Sequence, residues 1–381
     1  MRIAKIIGGL LLAFVSIGLR AEATPLPAPP DVRAEIYLLI DFQSGATLAE
    51  KNADQRAEPA SITKVMTAYV IFREIANGKI ALTDDVTISE NAWRKSMGTS
   101  RTFLEPGDRV PVETLLKGMI IQSGNDASIA LAEHIAGSEE TFAAMMNAYA
   151  AELGMTGTHF TNSTGLPGED HYTTARDLAT LASALIREFP DFYVLYSTPE
   201  FTYNNISQPN RNRLLSRDVG ADGIKTGWTE SADYCLLSSA IRDDRRLISV
   251  VLKSPSERQR TIASEALINY GFRFFETHRL YAAGEAIETI RVWKGERETV
   301  GLGLEQDLYV TLPRGRYPEL QAYLDVRPQL IAPIFASDPV GRMTVSLDDT
   351  TLEERDLFPL ATVPEGNLWQ QLSDSVMLWF E

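Results

Sequence analysis

Pro59-Ala60-Ser61-Ile62-Thr63-Lys64 opens an apolar run, Ile62, Val65, Met66, Tyr69, Val70 and Ile75, that stops at Asn77-Gly78. Apolar residues recur at three- and four-residue spacings, so the run reads as a mostly buried helix with Ser61 at its N-terminal end. Residues three apart on a helix share a face, which puts the Lys64 amine within reach of the Ser61 hydroxyl. A serine hydroxyl attacks well only when a base removes its proton. An amine can be that base if burial and neighbouring cations leave it partly neutral near pH 7. The helix end adds positive potential and free backbone N–H groups where an oxyanion would form. The same six residues also fit a serine N-cap followed by a first-turn lysine, so the pair gains meaning only from what the rest of the chain supplies.

Upstream of this helix, Glu35 to Phe42 reads as a strand and Gln43-Ser44-Gly45-Ala46 as a turn, with Thr47 to Lys51 returning as its partner. Downstream, Leu115, Leu116, Met119, Ile120 and Ile121 form a helical pattern that runs into Gln122-Ser123-Gly124-Asn125, and a second helix leaves at Asp126. A third, rich in Ala and Met, covers residues 139 to 153. Polar residues between two apolar helix ends are presented inward or into a cleft, with Gly124 relieving the turn, although a plain helix C-cap followed by an Asp N-cap has the same pattern. A helix over Thr174 to Arg187 and an Asn-rich aromatic segment, 201 to 215, lead to Asp222-Gly223-Ile224-Lys225-Thr226-Gly227-Trp228. Two further strands, Tyr234 to Ile241 and Arg246 to Lys253, put Lys225-Thr226-Gly227 on the first strand of an antiparallel meander. Such a strand suits an extended peptide: the backbone pairs with it, Gly lets it approach, and ammonium and hydroxyl hold a carboxylate. It is equally compatible with an ordinary half-exposed strand. Residues 256 to 277 read as a helix that closes the domain.

The remainder bounds the answer. At 381 residues the chain has room for two domains. It begins with Arg2 and Lys5, an apolar run from Ile6 to Leu19 and Ala21-Glu22-Ala23, the pattern of a cleaved secretory signal peptide over residues 1 to 23, so the mature protein is expected beyond the inner membrane. The formal charge is -15, and -17 once that segment is gone, which argues against nucleic acid as a partner. Cys235 is the single cysteine, so no internal disulfide forms, and it sits in an apolar strand with no histidine near it in sequence. The four histidines show no metal spacing and read as structural or surface residues. From Tyr281 the segments become short, strand-like and punctuated by Gly and Pro, as in a small all-β module. Leu368, Trp369, Leu372, Val376, Trp379 and Phe380 form a terminal apolar stripe at helical spacing that suits a membrane interface.

Ser61-x-x-Lys64, Ser123-x-Asn125 and Lys225-Thr226-Gly227, in this order and separated by 62 and 102 residues, make up the constellation of penicillin-binding proteins and class A β-lactamases. The chain resembles the low-molecular-mass penicillin-binding proteins of the D-alanyl-D-alanine carboxypeptidase family. The likeness extends to Leu39-Ile40-Asp41, Asn210-Arg211-Asn212, Tyr270 to Thr277 and Pro313-Arg314-Gly315-Arg316. It implies an α+β fold: an antiparallel sheet with helices on both faces plus a helical subdomain over residues 24–280. An all-β domain over 281–364 and an amphipathic, membrane-associating helix over 365–381 would follow.

The implied reaction is removal of the terminal D-alanine from a peptidoglycan stem pentapeptide through an acyl-enzyme on Ser61, with β-lactams as acylating inhibitors and no metal or cofactor. Lys64 would be the general base and Ser123 the proton relay, tuned by Lys225, which would also help to bind the substrate carboxylate. Asn125 would bind the substrate amide. Thr226 and an arginine of the Glu257-Arg258-Gln259-Arg260 segment, Arg260 before Arg258, would hold the terminal carboxylate beside Gly227, and the N–H groups of Ser61 and Trp228 would form the oxyanion hole. The implied location is the periplasm, peripherally on the inner membrane. Three positions depart from the usual pattern: Trp228 stands where histidine is common, Asp233 where glycine is, and the terminal helix carries Asp374 and Glu381 but no basic residue.

Two other readings are a class A β-lactamase-like hydrolase and a low-turnover penicillin-binding or peptidoglycan scaffold. The first commonly has Ser-Asp-Asn and a Glu-x-x-Leu-Asn loop, whereas this chain has Ser123-Gly124-Asn125 and Gly165 to Asp170 does not match that loop. A peptidase that cuts cross-links is a further relative, which the second domain disfavours.

Overall fold

Strand β1 (Ile36–Asp41) pairs with β2 (Thr47–Lys51) on one side and with β5 (Arg245–Ser254) on the other; β4 (Asp233–Arg242) and β3 (Ala221–Thr229) complete an antiparallel sheet in the order β2-β1-β5-β4-β3. The computed structural model describes residues 26–379, so the expected signal peptide, residues 1–23, lies outside the described residues, as do Phe380 and Glu381. Because successive side chains alternate across a strand, the sheet is apolar on both faces. Ile36, Leu38, Leu237, Ile248, Val250 and Leu252 face one core, which contains α1 (Thr63–Ala76), α2 (Asn125–Ala136), α3 (Glu139–Glu152) and α4 (Ala175–Glu188). Leu39, Leu236, Leu247 and Val251 face the other, covered by α5 (Glu257–Phe274) through Ala263, Leu267 and Ile268.

Helix α1 crosses the first core with Val65, Met66, Tyr69, Val70 and Phe72 fully buried, each such side chain contributing about 1.5–3 kcal/mol. A short 3₁₀ turn, Ala60–Ile62, precedes it and carries Ser61. α5 ends at Phe274, three residues before the expected end, and the chain passes directly into the strand Phe275–Tyr281, which pairs with Leu308–Pro313. The carbonyls of Gly271 and Phe275 both accept from Arg245 Nη1, which fixes the change of direction.

That strand pair touches the five-stranded sheet around Asp41. Its fully buried carboxylate accepts from Arg245 Nε at 2.8 Å and Thr277 Oγ1 at 2.6 Å, while Ser44 Oγ lies 2.6 Å from Thr311 Oγ1. The Leu39-Ile40-Asp41, Tyr270–Thr277 and Pro313–Arg316 segments noted in the sequence thus belong to, or flank, one junction. A buried carboxylate left unpaired is costly, so these contacts pin the two parts together. Beyond it lies a six-stranded sheet built from short segments between Glu288 and Pro359, with two small apolar cores. The chain closes with α6 (Leu368–Met377), whose start is a capping box: Asn367 accepts from the N–H of Gln370, and the Gln370 side chain accepts from the N–H of Asn367. No helix of the described residues is long and apolar enough to cross a membrane.

Candidate active site

Three distant segments meet where the Ala60–Ile62 turn abuts β3. Gly227 makes this approach possible: a Cβ there would stand 2.8 Å from Pro59 O and 3.3 Å from Ser61 N. The glycine expected to let a ligand approach therefore also admits the turn that bears the serine. On the far side, the helical stretch Val112–Lys117 widens into a π turn at Gly118–Gln122 and α2 starts at Asn125, leaving Ser123-Gly124 as the connection. Here the expected role of Gly124 is corrected. Gly124 has φ -60°, and it is Ser123 that takes the left-handed conformation, φ +69°. Gly124 is needed for space instead, since a Cβ would overlap Thr102 Oγ1. Strain at a non-glycine residue of this kind costs on the order of 1–3 kcal/mol and tends to occur at functional sites.

Lys64 is 1% exposed. Its Nζ donates to Ser61 Oγ at 3.2 Å, Asn125 Oδ1 at 2.6 Å and the Thr164 carbonyl at 2.6 Å. Burial pushes its pKa down to about 7, with Asp126 and Glu139 acting upward and Arg211 downward. Three acceptors converge on a desolvated amine that shares its proton readily at neutral pH. Lys225, also buried, is held well below its ordinary value by burial first and then by Lys64, Arg211 and Arg260. Its Nζ donates to the Thr226 carbonyl at 3.2 Å. Ser123 Oγ is buried with no partner among the described residues, a hydroxyl free to exchange protons with a ligand. Asn125 is oriented by its Nδ2 donating to Thr99 Oγ1 at 2.9 Å and its N–H donating to Ser100 O at 2.8 Å.

Ser61, Ser123, Thr226, Gly227, Trp228 and Arg260 line one open cleft of about 780 Å³. Arg260 is 5% exposed and donates through Nη1 to Gly227 O at 2.9 Å. The side chain of Trp228 is half exposed and lies 6.0 Å, centroid to centroid, from Tyr234. Thus Lys64 contacts both Ser61 and Asn125, and Ser123, Thr226, Trp228 and Arg260 line the same cleft as Ser61. Lys225 is not among the residues that line the cleft.

Arg211, Tyr234 and the Thr164 carbonyl also belong to the site, although sequence reasoning does not single them out. Arg211 lines the cleft and donates through Nε to Gln122 O at 2.8 Å; its only signal in the sequence is the Asn-Arg-Asn segment. Asp126, beside Asn125, accepts from the N–H groups of Thr102 and Leu104 and so fixes the loop behind Ser123. Of the histidines, His171 is buried between Thr63 Oγ1 and the Thr161 N–H, and burial lowers its pKa to about 4, so it is a neutral packing residue. Cys235 is buried and its thiol is pushed up to about 11, which leaves it protonated. Asp233, at the position where glycine is common, has φ +55°, a conformation that aspartate tolerates better than most residues.

Comparison with known proteins identifies the family of the chain. The family profile described as D-alanyl-D-alanine carboxypeptidase matches residues 23–256, and that of the penicillin-binding protein 5 C-terminal domain matches residues 275–365. The chain is 44% identical to D-alanyl-D-alanine carboxypeptidase DacC of Escherichia coli, over 97% of this chain and 94% of that protein. Penicillin-binding protein 5 from Haemophilus influenzae superposes with a TM-score of 0.87 at 40% identity, covering 89% of this chain and all of that one. Penicillin-Binding Protein D2 of Listeria monocytogenes, solved in an ampicillin-bound form, superposes with a TM-score of 0.59 at 29% identity, covering 64% of this chain and all of that one. With a serine and a depressed lysine at the head of a buried helix, and both parts of the chain matched, this protein belongs to the D-alanyl-D-alanine carboxypeptidase family, as a serine-type hydrolase and penicillin-binding protein.

Proposed function

We propose that Ser61 is the nucleophile of a two-step acyl transfer that trims the terminal D-alanine from a peptidoglycan stem pentapeptide. The observation that carries this reading is the 3.2 Å contact between Ser61 Oγ and a buried Lys64 amine whose pKa lies near 7. Lys64 takes the hydroxyl proton as Oγ attacks the carbonyl between the two D-alanines. The N–H groups of Ser61 and Trp228 stabilise the oxyanion. When the C–N bond breaks, Ser123 passes a proton to the leaving amine, and water then cleaves the ester and restores Ser61. Thr226 and Arg260, with Lys225 behind them, hold the terminal carboxylate, and Asn125 binds the amide on the acyl side. A β-lactam enters the same steps as far as the ester. Release of D-alanine from a stem-pentapeptide mimic tests the whole scheme, because acylation by penicillin without any D-alanine release would reduce the protein to a scaffold.

Trp228 replaces a side chain that can exchange protons with one that cannot, and it lines the cleft that deacylating water must enter. Trp228→His is expected to speed loss of the penicilloyl group several-fold, measured by the decay of fluorescent penicillin label; an unchanged decay clears the indole of any part in slow turnover.

For location, we propose the periplasm, with α6 resting on the inner-membrane surface. Trp369 and Trp379 are 83% and 91% exposed, on one face with Leu368, Leu372 and Val376. Asp374 does not disturb that face: it turns inward, accepting from the Lys294 N–H at 2.5 Å and lying 3.7 Å from Arg291. With no basic residue on the helix, attachment depends on apolar burial. Deletion of residues 367–381 is expected to move the protein from the membrane to the soluble fraction on cell fractionation, and an unchanged distribution removes α6 as the anchor.

A further inference from the structure

The cleft continues past its carboxylate end. Arg213, Arg217, Glu257, Arg258 and Thr261 enclose a hollow of about 260 Å³ that shares Arg213 and Glu257 with the cleft. Local structure gathers these charges. Asn212 caps the 3₁₀ turn Arg213–Ser216, and Ser256 caps α5, whose first turn presents Glu257 and Arg258. The hollow therefore holds three guanidinium groups against one carboxylate, in a chain of net charge -15.

Glu257 marks what such a place accepts. Its Oε1 forms an ion pair with Arg213 Nε at 2.9 Å and lies 3.8 Å from Arg260 Nη2, so a single carboxylate bridges the cleft arginine and the hollow. Arg217 and Arg258 are exposed and, among the described residues, enter no ion pair. They are left to recognise something outside the chain.

We propose that this hollow binds a second anionic group carried by the leaving residue, so that the enzyme releases acidic C-terminal residues in preference to their neutral isosteres. The inference rests on the reading that Arg260 and Thr226 hold the leaving residue's α-carboxylate. A side chain longer than a methyl group, projecting from that residue toward Glu257, meets Arg213 first and then Arg217 and Arg258. The bond chemistry is unchanged: the amide C–N bond breaks, the amine of the acidic residue leaves with the proton, and water hydrolyses the ester.

Three substrates with a common acyl part and the termini D-Ala-D-Ala, D-Ala-D-Glu and D-Ala-D-Gln test this. At low ionic strength kcat/KM for the D-Glu substrate is expected to exceed that for D-Gln about fivefold, the size of contribution exposed charge pairs make. The gap is expected to close as salt shortens the screening length below about 10 Å. In an Arg217→Ala/Arg258→Ala double variant the two rates converge, while release from D-Ala-D-Ala stays at the wild-type level. Equal or undetectable release from D-Glu and D-Gln substrates by an enzyme active on D-Ala-D-Ala overturns the proposal. So does a D-Glu preference that survives in the double variant. A folded protein that releases nothing from D-Ala-D-Ala instead overturns the carboxypeptidase scheme on which the proposal stands.

Discussion

Ser61→Ala is expected to abolish covalent labelling by a fluorescent penicillin and to lower D-alanine release by about 10⁴-fold or more, while leaving the fold intact. The size follows from the loss of the covalent route itself. Without Oγ there is no ester, and the remaining cleft offers only binding and oxyanion donors to a chance water. The cost to stability is small because the hydroxyl fills no core space. It sits at the cleft, half-buried, and its side-chain hydrogen bond is with Lys64, which keeps Asn125 Oδ1 and the Thr164 carbonyl as acceptors. Thermal melts of the two proteins should therefore agree to within roughly 1 kcal/mol of stability. Labelling of the alanine variant at the wild-type level, or failure of folded wild-type protein to label at all, would remove Ser61 from the reaction.

The pairing that this variant breaks is legible in the amino-acid sequence alone. Ser61 and Lys64 stand in an i, i+3 relation on a helix, which fixes proximity whatever the rest of the chain does. β3 is legible from the turn residues that bound it and from the two alternating segments after it, and the family resemblance ties it to Ser61 across more than 160 positions. Main-chain partners are not legible. The Thr164 carbonyl contributes as strongly to Lys64 as Asn125 does, yet a backbone oxygen leaves no mark in the side-chain sequence.

Ser123 shows why the connection before α2 is harder to read. Glycine is the usual residue for a left-handed turn, so the sequence points to the adjacent Gly124. The chain places the strain on Ser123 and uses Gly124 to admit Thr102, a choice that depends on a loop about 20 residues upstream. The end of α5 departs from expectation for a related reason. Phe275 continues an apolar helical spacing from Ile268 and Phe272, and it is contacts from distant residues, the pairing of Phe275 to Thr277 with Thr311 to Pro313 and the guanidinium groups of Arg245 and Arg314 on the nearby carbonyls, that make these residues a strand. Arg213, Arg217 and Arg258 look like ordinary solvated charges in the sequence, because nothing there says that two separate turns bring them together.

Lys64→Met is expected to slow acylation by about 10²- to 10⁴-fold, the usual contribution of a positioned general base. Methionine matches the length of the buried stem but carries no proton acceptor of comparable basicity. The variant strands Asn125 Oδ1 and the Thr164 carbonyl, a cost of about 1–3 kcal/mol for each if left unsatisfied, and relieves the burial of an amine, so the two effects oppose in stability while both outcomes remove the base. The pH profile of the wild-type enzyme carries the sharper check. Lys64 is a basic group whose folded pKa is depressed to about 7: it is protonated and unable to accept below that value, neutral and competent above it. Acylation should therefore rise about tenfold per pH unit on the acid side and level off above about 7. After burial, Arg211 is the cation that holds the amine down, so Arg211→Ala should move the rising limb to higher pH, whereas a purely structural arginine would lower the rate without moving it. An acid limb that stays in place in Arg211→Ala, or a wild-type rate flat from pH 5 to 9, would take the base role from Lys64 and leave Ser61 to be activated from the side of Ser123 and Lys225.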